Sequence, residues 1–347
     1  MTEWNEQLLK ALPKIDLHVH LDGSVKPETL RELADAQGMP LPEGELTGSM
    51  QVDEQCESLV DYLSKFSFVL PFLQTAEALE RVAYEVVEQA KEQNCLYIEV
   101  RFAPLLHTQQ GLSAAEAIRL VVAGLQRAEA ELGVPARAIA ICMRHDTPER
   151  SKEVIQAAAE WHGKGVAAVD LAGDEAGYPP ELHRELFELA RRLKLPVTIH
   201  AGEAGGADNV RTAIEQLGAL RIGHGVRMQE DPSVVELVQR RRIPLEMCPL
   251  SNIQTKAVSG WEVYPIRSYM QQGILVTVNT DNMTVSGTTM TNEYALLAEK
   301  LGFSGKELAQ LSLNAADAAF LEEPAKSALK RQMMQKLAEL GLEPAEI

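Results

Sequence analysis

The stretch KIDLHVHLDGS, residues 14–24, ends a run that reads as buried β-strand with two histidines, His18 and His20, spaced one residue apart. Strand side chains alternate between faces with a period of two, so both imidazoles face the same way. Seven more short apolar runs rich in β-branched residues follow. They are CLYIEVRFA (95–103), ARAIAICMR (136–144), GVAAVDLAG (165–173), LPVTIHAGE (195–203), RIGHG (221–225), PLEMCPLSN (244–252) and ILVTVNTDN (274–282).

Between most of these runs lie segments with apolar residues at helical spacing, such as AEALERVAYEVVEQAKEQ (76–93), SAAEAIRLVVAGLQRAEAEL (113–132) and PPELHRELFELARRLK (179–194). Alternating strand and helix implies parallel strands joined by crossover helices, and a count of eight predicts an α/β protein of the (β/α)₈ TIM-barrel class. A doubly wound open sheet is the alternative. Such a barrel accommodates 347 residues as a single domain, 1–347. The long first connection, residues 24–94, is read as a helical insertion covering one barrel mouth, built from KPETLRELADAQG (26–38) and ESLVDYLSKFSFVL (57–70). EPAKSALKRQMMQKLAEL (323–340) is read as an extra C-terminal amphipathic helix whose basic face meets solvent.

With 46% hydrophobic and 24% charged residues, the chain can bury a large core. The formal charge of −17, without a long basic run, disfavours nucleic acid and anionic membranes as partners. No signal-peptide pattern opens the sequence and no apolar run approaches bilayer length, so a cytoplasmic protein is expected. The four cysteines, Cys56, Cys95, Cys142 and Cys248, are scattered without a C-x-x-C pair and are read as small buried hydrophobes. Nothing in the sequence sets a subunit number.

Reactive groups of such barrels occupy the carboxyl ends of strands. Here those ends carry His18, His20, His200, Glu203, His224, Asp281 and Asn282. An H-x-H pair alone is also found among core histidines satisfied by backbone groups. Adding His200 and Asp281 gives three imidazoles and a carboxylate, a donor set suited to Zn²⁺ and open to other divalent transition metals. A bound metal would lower the pKa of water toward ~7. Glu203 is then a candidate general acid if burial keeps it protonated, and His224 would orient the water or receive its proton. His107 and His145 are further candidates for lining the site, whereas His162 and His183 fall in helical patterns. Ser251 and Asn252 of CPLSN either brace the mouth or belong to a plain turn.

DLHVHLDGS, VDLAGDE, HAGE, RIGHG, CPLSN and NTDN together, in this order over nearly the whole chain, closely resemble the adenosine deaminase family of the metal-dependent amidohydrolases. The resemblance implies that His18, His20, His200 and Asp281 ligate one zinc ion and that water attacks the amino-bearing carbon of a purine nucleoside, adenosine or 2′-deoxyadenosine. It implies that Glu203 protonates the adjacent ring nitrogen and that His224 polarises the water. The Gly173 N–H would bind another purine nitrogen, Asp22 a sugar hydroxyl, and His20 would also line the substrate site; adenine-specific relatives tend to carry Glu at the position of Asp22. The family pattern has a second aspartate and a proline after the metal aspartate, where this chain has Asn282 and Met283. An amide can donate to purine N7 without first acquiring a proton. The zinc deaminases with H-x-E and P-C-x-x-C signatures use another ligand set, absent here.

Two other functions compete with this one. One is a related aminopurine deaminase acting on adenine, a modified adenosine or a larger adenosine-containing metabolite. The other is a nonenzymatic nucleoside-binding protein that has lost the chemistry. A nucleotide substrate is disfavoured because no evident Lys/Arg cluster or Gly-rich phosphate loop accompanies the strand ends.

Overall fold

All eight runs form parallel strands in the computed structural model, which describes residues 6–342. Residues 1–5 and 343–347, the ends of the single domain expected from the sequence, lie outside the described residues. Strands β1 (Lys14–His20), β2 (Cys95–Phe102), β3 (Ala136–Met143) and β4 (Val166–Ala172) pair in sequence order. So do β5 (Thr198–Ala201), β6 (Arg221–His224), β7 (Leu245–Met247) and β8 (Val276–Val278).

Two seams close the halves into one barrel. Val169 bridges to Val197, and Val19 bridges in parallel to Asp281 just beyond β8. At the second seam Asp281 N–H donates to the His18 carbonyl at 2.7 Å and His20 N–H donates to the Asp281 carbonyl at 2.7 Å. The expected (β/α)₈ class therefore holds and the open sheet does not. RIGHG is a true strand. The two runs after it keep only three strand residues each, and CPLSN turns directly into the helix Pro249–Gln254.

The outer strand faces pack under amphipathic helices. Ala76–Glu92 buries Leu79, Val82, Ala83, Val86, Val87 and Ala90, a stripe at i, i+3, i+4 spacing. Ala114–Leu132 starts with a reciprocal capping box between Ser113 and Glu116 and stops at Gly133, where φ is +73°. Barrel interiors of this class are usually filled by branched apolar side chains. This one holds a buried ionic network instead. Arg101 donates to Asp170 at 2.8 Å and to Glu246 at 2.6 Å, and Arg221 donates to Glu246 and Glu99, both at 2.6 Å. These five side chains are essentially sealed from solvent, so each charge survives burial only because a partner cancels it.

The insertion after β1 covers the mouth as expected, in shorter pieces than the periodicity predicts. Pro27–Gln37 is one helix, but 57–70 breaks into Leu59–Ser64 and Phe66–Val69, the first capped by Ser58, whose hydroxyl accepts from Asp61 N–H at 3.2 Å. Tyr62 latches this cover to the rim after β8 through a 2.5 Å hydrogen bond with Ser286. The C-terminal helix Glu323–Glu339 packs through Leu329, Met333 and Leu337. No helix among the described residues is long and apolar enough to cross a membrane.

Candidate active site

The carboxyl ends of the strands surround a cavity of about 300 Å³, walled by Leu63, Phe66, Leu106 and Met143 and floored by polar groups. His20, Asp22, Gly173, His200, Glu203, His224, Asp281 and Asn282 all line it, and His18 lies buried beneath. The ligand atoms of His18, His20, His200 and Asp281 lie within 4.8 Å of one another. Four side chains from three distant parts of the chain thus converge because β1, β5 and the end of β8 share one rim.

Three of the four ligand candidates are held from behind. His18 Nδ1 meets Glu246 at 2.9 Å and His200 Nδ1 meets Asp170 at 3.0 Å, so the Nε2 atom of each ring is turned inward. Burial lowers the pKa of His200 to about 4, leaving a neutral imidazole with a lone pair to offer. His20 Nε2 is 3.2 Å from His200 Nε2 and 3.3 Å from Asp281 Oδ1, while His18 Nε2 is 3.4 Å from the same oxygen. Although burial opposes it, the His18 and His20 imidazoles beside it hold the Asp281 carboxyl well below the usual carboxylate range. The Ser251 hydroxyl donates to its other oxygen at 2.6 Å.

His18 Nε2 has no hydrogen-bond partner although it is sealed from solvent. A buried polar atom left this way loses the desolvation free energy of ~1–3 kcal/mol unless something else satisfies it. Three imidazole nitrogens and a carboxylate oxygen around that atom fit a divalent transition metal, with second carboxylates fixing the tautomers of two ligand rings. Asp281 itself sits at φ +61° and His224 at +64°, left-handed backbone that non-glycine residues rarely adopt and that clusters at functional sites.

Glu203 and His224 face each other at 3.5 Å. Burial, then the charges of Asp281 and Glu175, push the Glu203 carboxyl well above its ordinary range, which favours its protonated form. Burial, followed by the repulsion of His18, pushes His224 well below the usual imidazole range. Its tautomer follows from Asn252. The Cys248 N–H and the Tyr264 hydroxyl both donate to Asn252 Oδ1, at 3.3 and 2.9 Å, which turns Nδ2 toward His224 Nδ1 at 2.8 Å. His224 Nδ1 therefore accepts, and its proton sits on Nε2 facing Glu203. Ser251 and Asn252 brace the mouth, settling the alternative left open by CPLSN.

Glycines fit the remaining geometry. A Cβ at Gly223 would come within 3.0 Å of His18 Cε1, so the strand beside that ring must lack a side chain. Gly173 has φ +106°, which presents its backbone to the cavity in a conformation open to glycine alone. Of the other histidines, His145 lines the rim. His107 is buried away from the cavity with Nδ1 bonded to the Leu73 carbonyl at 2.9 Å, His183 is also buried, and His162 is exposed. Sequence reasoning overlooked Asp170, Glu246, Glu175, Arg101 and Tyr62. For Asp170, Glu246 and Arg101 the available signal was a charged residue inside an apolar strand run; Glu175 and Tyr62, outside the strands, had none.

An eight-stranded parallel barrel with a His, His, His, Asp cluster at its carboxyl rim defines a metal-dependent hydrolase of the amidohydrolase type. Comparison with known proteins narrows the class. The model of the adenosine deaminase family matches residues 13–336. An adenosine deaminase from Enterococcus faecalis is 43% identical over 332 residues, covering 95% of this chain and 98% of that protein. Among solved structures, an adenine deaminase from Arthrobacter aurescens aligns with a TM-score of 0.87 at 27% identity, covering 94% of this chain and 99% of that one. An amidohydrolase from Burkholderia ambifaria with bound zinc aligns at 0.90 and 26% identity, covering 98% and 94%. The chain belongs to the adenosine deaminase family.

Proposed function

We propose that this enzyme hydrolyses adenosine, and 2′-deoxyadenosine, to the corresponding inosine and ammonia with one zinc ion held by His18, His20, His200 and Asp281. The observation that carries the reading is the buried Glu203 carboxyl, 3.5 Å from His224 and beside that ligand cluster, inside a nucleoside-sized cavity. When bound, zinc would polarise the attacking water and bring its pKa toward ~7. The His224 Nε2–H donates to that water and orients it; with Nδ1 already accepting from Asn252, this imidazole is a donor rather than a base. Glu203 places its proton on the ring nitrogen beside the amino-bearing carbon as the water oxygen bonds to that carbon; of the two water protons, one returns to the Glu203 carboxylate and one passes to the amino group, which leaves as ammonia when the carbon–nitrogen bond breaks.

The Gly173 N–H would bind a second ring nitrogen and Asp22 a sugar hydroxyl. The apolar cover, with Tyr62, Leu63 and Phe66, walls the reacting atoms from bulk water. No Lys or Arg lines the cavity, so a phosphate has no cationic partner there and a nucleoside fits better than a nucleotide. All four cysteines are buried and free, in keeping with work in the cytoplasm. Formation of the 6-oxopurine product should be measured on adenosine, 2′-deoxyadenosine, adenine, N6-methyladenosine and AMP, the methylated substrate releasing methylamine in place of ammonia. Adenosine is expected to give the highest kcat/KM; efficient turnover of adenine or AMP with negligible turnover of adenosine would reject the assignment.

Asn282 stands where the family pattern has an acid, and its Oδ1 is buried against Gly23, where a Cβ would lie 1.7 Å from that oxygen. Its Nδ2 is then the group left to donate toward purine N7. In Asn282→Asp the same donation needs a protonated carboxyl, so substrate affinity should fall as pH rises, by up to about tenfold per unit above the new pKa. The wild-type affinity is expected to stay flat from pH 6 to 8. Coincident KM profiles for the two proteins would remove Asn282 from N7 recognition.

A further inference from the structure

We infer that Glu175 is a positioning residue for deamination, its carboxylate serving as the mould around which the loop carrying Glu203 is wound. This rests on the assignment of Glu203 as proton donor. The side chain of Glu175 is buried, reaching across from the loop after β4. Its Oε1 accepts from the Gly202 N–H at 2.7 Å and from Asn209 Nδ2 at 3.0 Å. Its Oε2 accepts from the N–H groups of Glu203, Ala204 and Gly205 at 3.0, 2.8 and 2.7 Å.

Five donors thus converge on one carboxylate, four of them consecutive backbone amides, an anion nest filled by a side chain of the same protein. The loop closes so tightly that a Cβ at Gly205 would lie 2.7 Å from Glu175 Oε1 and 2.0 Å from Asn209 Nδ2. The other end of the segment is gripped by the opposite charge. Arg144 donates from one terminal nitrogen to the His200 carbonyl at 2.7 Å and from the other to the Tyr178 carbonyl at 2.7 Å. Residues 200–205 are therefore stretched between a buried cation and a buried anion. His200 is already fixed by Asp170, so the part that depends on Glu175 is the backbone under Glu203.

Glu175→Gln keeps the size of the side chain but offers one oxygen where five N–H groups need two. The Asn209 amide can rotate to accept from the new NH₂ group; the Gly202 N–H cannot. The expected result is a kcat lowered about 10- to 100-fold, since a displacement of the order of 1 Å costs that much in a proton-transferring geometry. KM, zinc content and inosine affinity should stay at wild-type values, while affinity for a purine nucleoside hydrated at the reacting carbon falls in step with kcat/KM. Asn209→Ala, which deletes one donor from a helix face that tolerates alanine, should show the same pattern at about a two- to fivefold loss, and decides the matter if the first variant does not fold. Wild-type kcat in the folded variants, or equal losses of inosine and hydrated-analogue affinity, would overturn the inference. Glu203→Gln run in parallel separates the two questions: full activity there refutes the proton-donor assignment itself, whatever Glu175 does.

Discussion

Replacing Glu203 by glutamine is expected to lower kcat by ~10²–10⁴-fold, the usual range for loss of a positioned general acid, with zinc content unchanged. Glutamine keeps the shape and the hydrogen-bonding reach of the carboxyl but has no proton to give. In the wild type the sign of the pH effect is set by the protonated form being the active one. Burial, Asp281 and Glu175 raise the Glu203 pKa, so kcat/KM should hold across the neutral range and fall as pH rises through that raised value. The glutamine variant should lack this basic limb while keeping any limb that belongs to the metal site. Stopped-assay ammonia release from pH 5 to 10, with metal content measured on the same samples, checks both parts. Undiminished turnover in the variant removes Glu203 from the chemistry.

The residues that converge at the rim were legible because a strand that faces a closed interior has no cheap use for polar side chains. His18 and His20 at the end of β1, His200 and Glu203 at the end of β5 and Asp281 after β8 each interrupt an apolar run at the point where a barrel strand reaches its rim. What held them was not legible. Glu246 is 228 positions from the His18 ring it orients, and Asp170 is 30 from His200. Each reads in sequence as a lone acid inside β7 or β4, and periodicity has nothing to say about which partner a buried charge finds across a barrel. Barrel closure was hidden for a related reason. The β1–β8 seam is made by Asp281, whose left-handed backbone lies beyond the last regular strand residue, so no strand pattern announces it. The cover was legible as helices but not as a latch, since Tyr62 meets Ser286 across 224 positions.

Removing zinc should abolish turnover while leaving the fold in place, and adding zinc back should restore the rate. The two halves of this expectation come from different parts of the structure. Activity is expected to depend on the ion because the proposed roles leave no strong base among the chain's own groups near the attacking water: His224 acts as a donor through Nε2 and Glu203 as the proton donor. The fold does not depend on it to the same degree. His18 keeps Glu246, His200 keeps Asp170, and Asp281 keeps Ser251 together with both backbone bonds to β1, so three of the four ligands remain tethered without the ion. The stability lost is then the binding linkage alone, about 2.7 kcal/mol at a zinc concentration one hundred times its Kd, which for a chain of this length is a drop in Tm of a few degrees. Dialysis against a chelator, with turnover, zinc content and thermal unfolding followed together, tests this. Turnover persisting in protein stripped of metal would contradict the proposed chemistry, and global unfolding on stripping would contradict the tethering.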